Sequence, residues 1–318
     1  MNPVAADPPD AAVAGHYGDP YREQRQLAAG LAAVDLSHRP IVRITGPDRL
    51  SWLHSLLSQH VSALAPGDSV EALVLSPNGH VEHHLQLLED GTQVLAHVEP
   101  GTAPALLEFL DKMRFMLRVE VSLADDLSVR WHPGPVDGPA TRTGFGSFAL
   151  VPKGSEYDGE LAGIAALEAL RVEARRPRLG LDTDHRTLPH EVGWLNSAVH
   201  LDKGCYRGQE TVARVHNLGR PPRKLALLHL DGSDSELPVV GSPILLGDRE
   251  VGRLGTAVRH HELGPLALAL LKRQVPDAAQ LVVGGVTASI DASPEPEMPE
   301  SAARVAASVR SGLLRLPR

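Results

Sequence analysis

The chain has 318 residues, of which 39 are acidic and 31 basic, giving a formal net charge of −8 at pH 7. This length exceeds that of a usual single domain and predicts two or three modules, each with its own core. The acidic balance argues against a general nucleic-acid or anionic-membrane binder. A single cysteine excludes an internal disulfide framework and a cysteine-only metal site, and it fits a reducing compartment, which we expect to be the cytoplasm.

The N-terminal residues 1–15 contain three prolines and little apolar mass, so we predict a mobile leader. They carry neither a basic n-region nor an apolar h-region, and the longest apolar run, 266–271, is too short for a bilayer span. We therefore expect neither secretion nor membrane anchoring.

Strand and helix patterns interleave in the first half of the chain. Leu50, Leu53 and Leu57 recur at helical spacing, whereas turn dipeptides such as Asn78-Gly79 separate runs that alternate apolar and polar residues. This mixture predicts an α+β fold. The predicted elements are a strand at 40–45, a helix at 50–61, an antiparallel meander at 70–76, 81–88 and 92–99, a helix at 104–116, strands at 119–123 and 147–151, and a helix at 161–175.

Beyond Arg220-Pro221-Pro222-Arg223 the pattern changes to short strands separated by turn residues, which is typical of a small β-barrel or sandwich. The strands are predicted at 225–230, 242–246, 250–258, 266–271 and 281–290. We therefore divide the chain into two interleaved α+β modules at 16–220 and a C-terminal barrel at 221–291. Residues 292–318 have the composition of a disordered tail, with an amphipathic helix as the alternative.

The only cysteine, Cys205, lies between Lys203 and Arg207 in a glycine-containing polar run. Nearby positive charge favours the thiolate, which is the form that attacks electrophiles or binds metal. Free cysteines are also often small buried hydrophobes, and that interpretation stays open. The polar neighbourhood argues against it, because such residues do not form the middle of a core element.

This run resembles a known family signature. The pattern K-G-C-Y-x-G-Q-E of the YgfZ-type folate-binding proteins, relatives of the glycine cleavage T-protein, matches at Lys203, Gly204, Cys205, Tyr206, Arg207, Gly208, Gln209 and Glu210. Three further T-protein motifs occur in the family's order: R-x-E-A at Arg171 and Glu173, G-x-D ending at Asp182, and P-x-E ending at Glu191.

The resemblance implies three modules in a ring around a folate pocket: an α+β part, a ferredoxin-like part and a C-terminal β-barrel. It implies a tetrahydrofolate-binding auxiliary protein that supports assembly or repair of iron–sulfur enzymes, more a maturation factor than an enzyme. Its cofactor would be tetrahydrofolate or a derivative, and its partners would be iron–sulfur client or cluster-carrier proteins, with no nucleic acid and no membrane.

Roles for individual residues follow from the same resemblance. Cys205 would be the reactive group, with Lys203, Tyr206 and Arg207 around it. Its thiolate could ligate a cluster iron as a shared ligand, accept a sulfur species or form a transient mixed disulfide. Glu191, Arg171 and Glu173 would contact the folate. A carboxylate can accept hydrogen bonds from a pterin, and an arginine can either hold a glutamate tail or pair with a carboxylate of the protein.

The competing hypothesis is a folate-dependent aminomethyltransferase or demethylase that moves a one-carbon unit. In the T-protein family an aspartate serves this transfer, but Glu82 and His83 stand in its place here. A carboxyl or imidazole displaced by about an ångström can lose on the order of a hundredfold in rate, which argues against the transferase. The acidic and histidine residues at 182–191 fit no standard metal-site spacing, so we predict no metal site in the isolated chain.

Overall fold

The computed structural model describes residues 3–232 and 236–292, so the predicted tail lies almost entirely outside the described residues. The α-helices are α1 (Pro20–Ala28), α2 (Arg49–Leu56), α3 (Ala103–Arg114), α4 (Ile164–Glu173), α5 (Trp194–Ala198) and α6 (Gln209–Leu218), and a 3-10 helix, Pro189–Glu191, lies between α4 and α5. The strands are β1 (Val4–Ala5), β2 (Ala14–His16), β3 (Ala32–Asp35), β4 (Ile41–Thr45), β5 (Ser69–Leu75), β6 (Val81–Glu89), β7 (Gln93–His97), β8 (Glu120–Leu123), β9 (Leu127–His132), β10 (Ala140–Thr143), β11 (Gly146–Pro152), β12 (Glu160–Ala162), β13 (Arg223–Leu230), β14 (Pro243–Leu246), β15 (Arg249–His260), β16 (Gly264–Lys272), β17 (Gln280–Val283) and β18 (Val286–Ile290). No helix among these described residues is long and apolar enough to cross a membrane.

The first module is a five-stranded sheet in the order β10-β11-β9-β3-β12, covered by α1 and α4. Its core is centred on Trp131 and Leu36, which are fully buried. Strand β12 runs parallel to β3, and the other pairs are antiparallel. Since β3 precedes the second module in sequence while β9 to β12 follow it, the two α+β modules are interleaved.

The second module is an antiparallel sheet in the order β5-β6-β7-β4-β8, with α2 and α3 packed on one face. The predicted meander corresponds to β5, β6 and β7. Leu53, Leu57 and Val61 are fully buried, although α2 ends at Leu56 and the predicted helix was therefore too long. The apolar spacing thus identified the buried face, but not the end of the helix.

The C-terminal module is a closed barrel in the order β13-β16-β15-β14-β17-β18, completed where β18 pairs with β13. Leu228, Leu254 and Leu281 fill its interior. The segment predicted as one strand at 281–290 is two strands joined at Gly284-Gly285, both with positive φ. Closure leaves no open sheet edge, which explains how such short strands form a stable unit.

The N-terminal segment differs from the predicted mobile leader. Strand β1 pairs with β2, and the Asp10 side chain is buried against His38 and Arg178, with Oδ1 2.6 Å from Nε2 of His38. A buried carboxylate needs charged partners, and these lie far away in sequence. The segment's composition did not reveal this anchoring.

Ion pairs join the three modules at their centre. Arg178 donates to Asp10 through Nη1 and Nη2 at 2.8 and 2.9 Å and to Glu99 through Nε at 2.9 Å. We call this cluster the central ion-pair network; its members are Asp10, Arg39, Glu99, Glu168, Arg171, Arg178 and Asp182. Asp182 extends it to the barrel, because its Oδ1 accepts from the backbone N–H of Thr256 at 2.7 Å.

Candidate functional site

The Cys205 loop, residues 199–208, connects α5 to α6 and packs against the second module. Cys205 is a free, exposed thiol, whereas its neighbours Lys203 and Tyr206 are 6% and 8% exposed. Gln209 Nε2 donates to the Lys203 carbonyl at 3.3 Å and closes the loop. The side chains on both sides of the cysteine therefore anchor the loop and leave the sulfur at the surface.

Lys203 reaches away from solvent to the end of α2. Its ammonium donates to the carbonyls of His54 and Leu57, at 2.5 Å to the latter, and lies 4.9 Å from the centre of the Tyr206 ring. A cation is favourable at a helix C-terminus, where carbonyls lack partners. Burial lowers the pKa of Lys203 to about 8 and raises that of Tyr206 to about 12. These contacts make Lys203 an anchor of the loop.

Arg207 connects the loop to β6 and α3. Its Nη1 donates to Glu82 Oε2 at 2.9 Å, and its guanidinium lies 5.5 Å from the centre of the Phe109 ring. Both members of the ion pair are about one-third exposed. Glu210 is exposed and pairs with Arg214 one turn further along α6. Arg207 and Glu210 thus lie on a solvated rim, whereas Lys203 on the other side of Cys205 is buried.

Gly208 is required by the shape of the loop. It has φ +81°, and an added Cβ would lie 2.5 Å from the Ser76 carbonyl oxygen in the β5–β6 hairpin. A side chain there would be strained and would also collide with backbone. At Gly204 an added Cβ would meet no atom within 4 Å. A steric requirement for glycine is therefore visible at Gly208 and not at Gly204.

A cavity of about 490 Å³ opens between the end of α4, residues 190–196, α6 and the barrel. Its cationic lining residues are Arg175, Arg176, Lys224 and Arg273, and its single carboxylate is Glu191. Arg175 pairs with Asp291, Arg176 with Glu71 and Lys224 with Asp277, whereas Arg273 is exposed and makes no side-chain ion pair within the described residues. The volume is typical of a small-molecule site, and Arg273 offers a cation to an anionic group of a ligand.

A second, inner cavity of about 50 Å³ shares Arg176 and Trp194 with the first. The Trp194 indole is buried and stacks on His84, with ring centroids 4.6 Å apart. Side chains that line this cavity carry buried polar atoms without a hydrogen-bond partner among the described residues; these atoms are Arg39 Nε, Gln86 Oε1 and His97 Nδ1, whereas His84 Nε2 lies 3.6 Å from Glu71 Oε2. Because such atoms are costly to leave unpaired, they indicate a place for a polar ligand edge or water.

Glu191 lines the larger cavity but is already engaged. Its Oε2 accepts from the Leu188 N–H at 2.9 Å and from Arg223 Nη2 at 2.7 Å, while Oε1 accepts from Arg223 Nε at 2.9 Å. Arg223 also pairs with Asp184 at 2.6 Å. Since a carboxylate oxygen accepts two hydrogen bonds, Oε1 keeps one acceptor site for a ligand.

Arg171 is buried within the central ion-pair network. Its five N–H donors are used by Glu168, twice, and by Asp182, the Arg176 carbonyl and Thr256, at distances from 2.5 to 2.9 Å. A guanidinium has five such donors, so this arrangement leaves none for a folate carboxylate. The sequence left two roles open to Arg171, which were to hold a folate glutamate tail or to pair with protein carboxylates. In the structure it pairs with protein carboxylates.

Glu173, unlike Arg171, which lines the inner cavity, lies away from both cavities. Its carboxylate is 46% exposed and 3.2 Å from the His260 imidazole of β15. Neither cavity lining includes Glu173. The R-x-E-A motif therefore links α4 to the network and to the barrel.

Glu82 and His83 do not line either cavity. Glu82 is held by Arg207, whereas His83 is 8% exposed and burial lowers its pKa to about 4. His83 is therefore neutral at pH 7. Neither Glu82 nor His83 therefore supplies an acid or a base to the larger cavity.

Metal-ligating side chains are scattered. Among residues 3–232 and 236–292, no three His, Cys, Asp or Glu side chains are grouped so that they could hold a metal ion. Arg273, Trp194 and Phe109 are candidate site residues that the sequence did not reveal. Only their position in the fold, next to a cavity or to the Cys205 loop, identifies them.

Comparisons with known proteins agree on the architecture. The chain is similar to the crystal structure of glycine cleavage system aminomethyltransferase T from Bartonella henselae, with a TM-score of 0.76 and 18% identity, over 91% of this chain and 93% of that one. The expected fold is therefore confirmed: two interleaved α+β modules and a closed barrel in the aminomethyltransferase T arrangement.

Two curated relatives carry different names. An aminomethyltransferase of Moorella thermoacetica is 26% identical, with 80% of this chain and 82% of that protein aligned. An iron-sulfur cluster assembly factor IBA57 homolog, mitochondrial, of Mycosarcoma maydis is 29% identical, with 57% and 53% aligned. No protein-family model matches the chain. Similarity thus extends to both kinds of protein that the sequence motifs suggested.

Proposed function

We propose that the protein is a tetrahydrofolate-binding auxiliary factor that supports assembly or repair of iron–sulfur enzymes through Cys205. The observation that carries the proposal is the exposure of this single thiol on a loop anchored by buried Lys203 and Tyr206. Similarity to the Mycosarcoma maydis assembly factor supports the same function.

The cavities fit a folate in volume, charge and polarity. Glu191 offers its remaining acceptor site to the donor groups of a pterin, and the unpaired polar atoms of the inner cavity offer further partners for its polar edge. Arg273, exposed in the lining of the larger cavity, suits the carboxylates of the glutamate tail. When bound, tetrahydrofolate supplies a carrier for one-carbon groups.

Arg171 and Glu173 have a different role in this proposal from the one the family resemblance implied. Both are engaged within the protein, by the central network and by His260. We therefore assign the folate contacts to Glu191 and Arg273 and give Arg171 the role of holding the modules together around the cavities.

Cys205 would act on the cluster as cargo. Its thiol would lose a proton and its sulfur would ligate a cluster iron. Stable clusters generally take four ligands, and one cysteine supplies one of them. Because the described residues contain no further grouped ligands, the others must come from a partner protein or small thiols.

The aminomethyltransferase hypothesis remains the alternative, supported by similarity to the Moorella thermoacetica enzyme. The pairing of Glu82 with Arg207 and the burial of His83 argue against it, because neither group lines the larger cavity. Turnover of a methylamine substrate with tetrahydrofolate would favour this alternative.

The folate claim is tested by calorimetric titration of the purified protein with tetrahydrofolate. We expect Glu191→Gln to weaken binding about tenfold, equivalent to about 1.4 kcal/mol, because it removes the charged acceptor. Glu210→Gln, which alters an exposed glutamate on α6, is the matched control and should leave binding unchanged. Absence of binding by the wild-type protein would refute the folate claim.

The thiol claim is tested in cells that lack the native protein, by measuring the activity of a [4Fe–4S] enzyme. Cys205→Ala should lose the support that the wild-type chain provides, yet bind tetrahydrofolate normally. Wild-type enzyme activity in the Cys205→Ala cells would remove the thiol from the function. The two measurements therefore separate folate binding from cluster support.

A further inference from the structure

The end of α3 and the turn after it present an apolar surface, which we call the α3 tip; its members are Met113, Phe115, Met116 and Leu117. Phe115 is 89% exposed and Met116 85%, more than any other large apolar side chain in the described residues. Single exposed apolar residues are common, but a cluster of four at one turn indicates an interaction site.

The composition of the α3 tip differs from that of the chain. The whole chain has four methionines and four phenylalanines, and the tip holds two of the former and one of the latter. Methionine and aromatic side chains are enriched in protein interfaces, where their large and adaptable surfaces contact a partner. The scarcity of both residue types elsewhere favours a specific use here.

The α3 tip is held in a fixed conformation. Trp52 Nε1 donates to the Met113 carbonyl at 3.0 Å on one side, and the Arg118 N–H donates to Asp48 at 2.9 Å on the other. Phe115 has φ +42°, which is unfavourable for an aromatic residue and costs on the order of 1 kcal/mol. The hydrogen bonds on both sides hold the backbone of the turn, so less backbone entropy is lost when a partner contacts its exposed side chains.

The α3 tip lies close to the Cys205 loop. Arg207 contacts Phe109, and Met113 follows Phe109 by four residues on the same face of α3. Met113 lies about one helical turn beyond the Arg207–Phe109 contact, and Phe115 directly follows the last residue of α3, Arg114. Since Arg207 is two residues from Cys205, we infer that one partner with a footprint of about 800 Å² can cover both the thiol and the tip.

We propose that the α3 tip is the docking surface for the protein that brings the remaining cluster ligands to Cys205. This inference rests on the proposed function, because that function requires a partner at the thiol. The partner would offer an apolar pocket for Phe115 and Met116 and would hold an iron–sulfur cluster through its own ligands.

Charges around the α3 tip argue against two other occupants. Lys112 and Arg114 pair with Glu108 and Asp111, and Arg118 with Asp48, so the rim has no excess positive charge for an anionic membrane. A second copy of this chain would add only one more exposed cysteine to the first. Two thiols leave two of the four cluster ligands to be supplied by small thiols, whereas a partner that holds a cluster through its own ligands needs none.

The functional test uses the double variant Phe115→Ser/Met116→Ser in cells that lack the native protein. We expect at least a threefold loss of [4Fe–4S] enzyme activity, because central apolar contacts dominate interfaces. Leu31→Ser, which alters an apolar residue 66% exposed between α1 and β3, is the matched control and should behave as wild type. Unchanged activity in the double variant would overturn the docking proposal.

A second measurement identifies the occupant. The photo-reactive residue p-benzoylphenylalanine replaces Met116, and a short bismaleimide is applied to Cys205 in a separate sample. Cross-linking of one and the same iron–sulfur protein by both reagents supports the proposal. Adducts with a second copy of this chain, adducts with lipid, or none at position 116 would overturn it.

The enzyme assays in cells that carry either variant separate the docking proposal from the proposed function. If Cys205→Ala loses enzyme support while the tip variant keeps it, the docking surface is wrong and the proposed function stands. If Cys205→Ala keeps enzyme support, the proposed function itself fails. Unaltered tetrahydrofolate binding and thermal melting of the tip variant show that any loss does not come from misfolding.

Discussion

The central ion-pair network and the rim of the Cys205 loop both contain arginines paired with carboxylates, but in different surroundings. Arg178 is 2% exposed and contacts carboxylates from three parts of the chain. Arg207 and Glu82 form one pair that is about one-third exposed. The first arrangement joins modules, whereas the second leaves a solvated surface beside the exposed Cys205 thiol. Burial therefore separates the arginine pairs that join modules from the pair that lies beside the thiol.

The largest effect should follow removal of a central network charge. Arg178→Met would leave Asp10 and Glu99 buried with fewer cationic partners, which should cost about 3–5 kcal/mol of unfolding free energy. Urea unfolding followed by circular dichroism measures this loss. A variant within about 1 kcal/mol of wild type would contradict the assigned role.

Acid should weaken the same network. Burial raises the pKa of Glu99, but the guanidinium groups of Arg178 and Arg39 outweigh it and lower the pKa from 4.5 to about 2. A carboxyl group whose pKa is lowered by folding stabilises the protein at pH values above its pKa in the unfolded state. The contribution of Glu99 should therefore be full above pH 4.5 and lost as the pH falls toward 2. The shift corresponds to about 3 kcal/mol. Unfolding measured across this range in wild type and Glu99→Gln should differ in slope, and equal slopes would contradict the prediction.

Whether the sequence predicts a helix or strand of this fold depends on which side chains that element buries. The apolar spacing predicted the meander and the barrel strands because these bury leucine and valine. It missed α1, whose buried face includes Glu23 and Gln24. Glu23 accepts from the Gly163 N–H at 2.7 Å, and Gln24 donates to the Arg259 carbonyl at 2.9 Å. Leu27 is the single apolar residue among the buried residues of α1, so its buried face does not show as a row of apolar residues in the sequence.

The candidate site was predictable only where its residues are adjacent in sequence. The signature at 203–210 identified the loop and its thiol, but not that Lys203 would reach inward to α2. The pairing of Arg207 with Glu82 joins residues 125 positions apart, and that of Arg178 with Asp10 spans 168. Local composition gives no information on which distant charges meet.

A smaller effect should separate the two signature glycines. Gly208→Ala introduces a Cβ at φ +81° and 2.5 Å from the Ser76 carbonyl oxygen, so we expect about 2 kcal/mol of destabilisation. Gly204→Ala is the matched control and should stay within about 0.5 kcal/mol, because its Cβ meets no atom within 4 Å. Thermal melting compares the two. Equal melting temperatures would show that the loop adjusts without cost.

The smallest effect on stability should come from the rim pair. Arg207→Met should change the unfolding free energy by less than about 1 kcal/mol, since exposed ion pairs contribute little and Met keeps a side chain over Phe109. The variant does remove a cation near Cys205, so the rate of thiol alkylation by iodoacetamide should fall relative to wild type. Arg214→Met, which breaks an exposed pair further along α6, controls for general loss of surface charge and should leave alkylation unchanged. If Arg207→Met destabilised the protein as much as Arg178→Met, exposure would not distinguish the two kinds of pair, and the contrast between network and rim would fail.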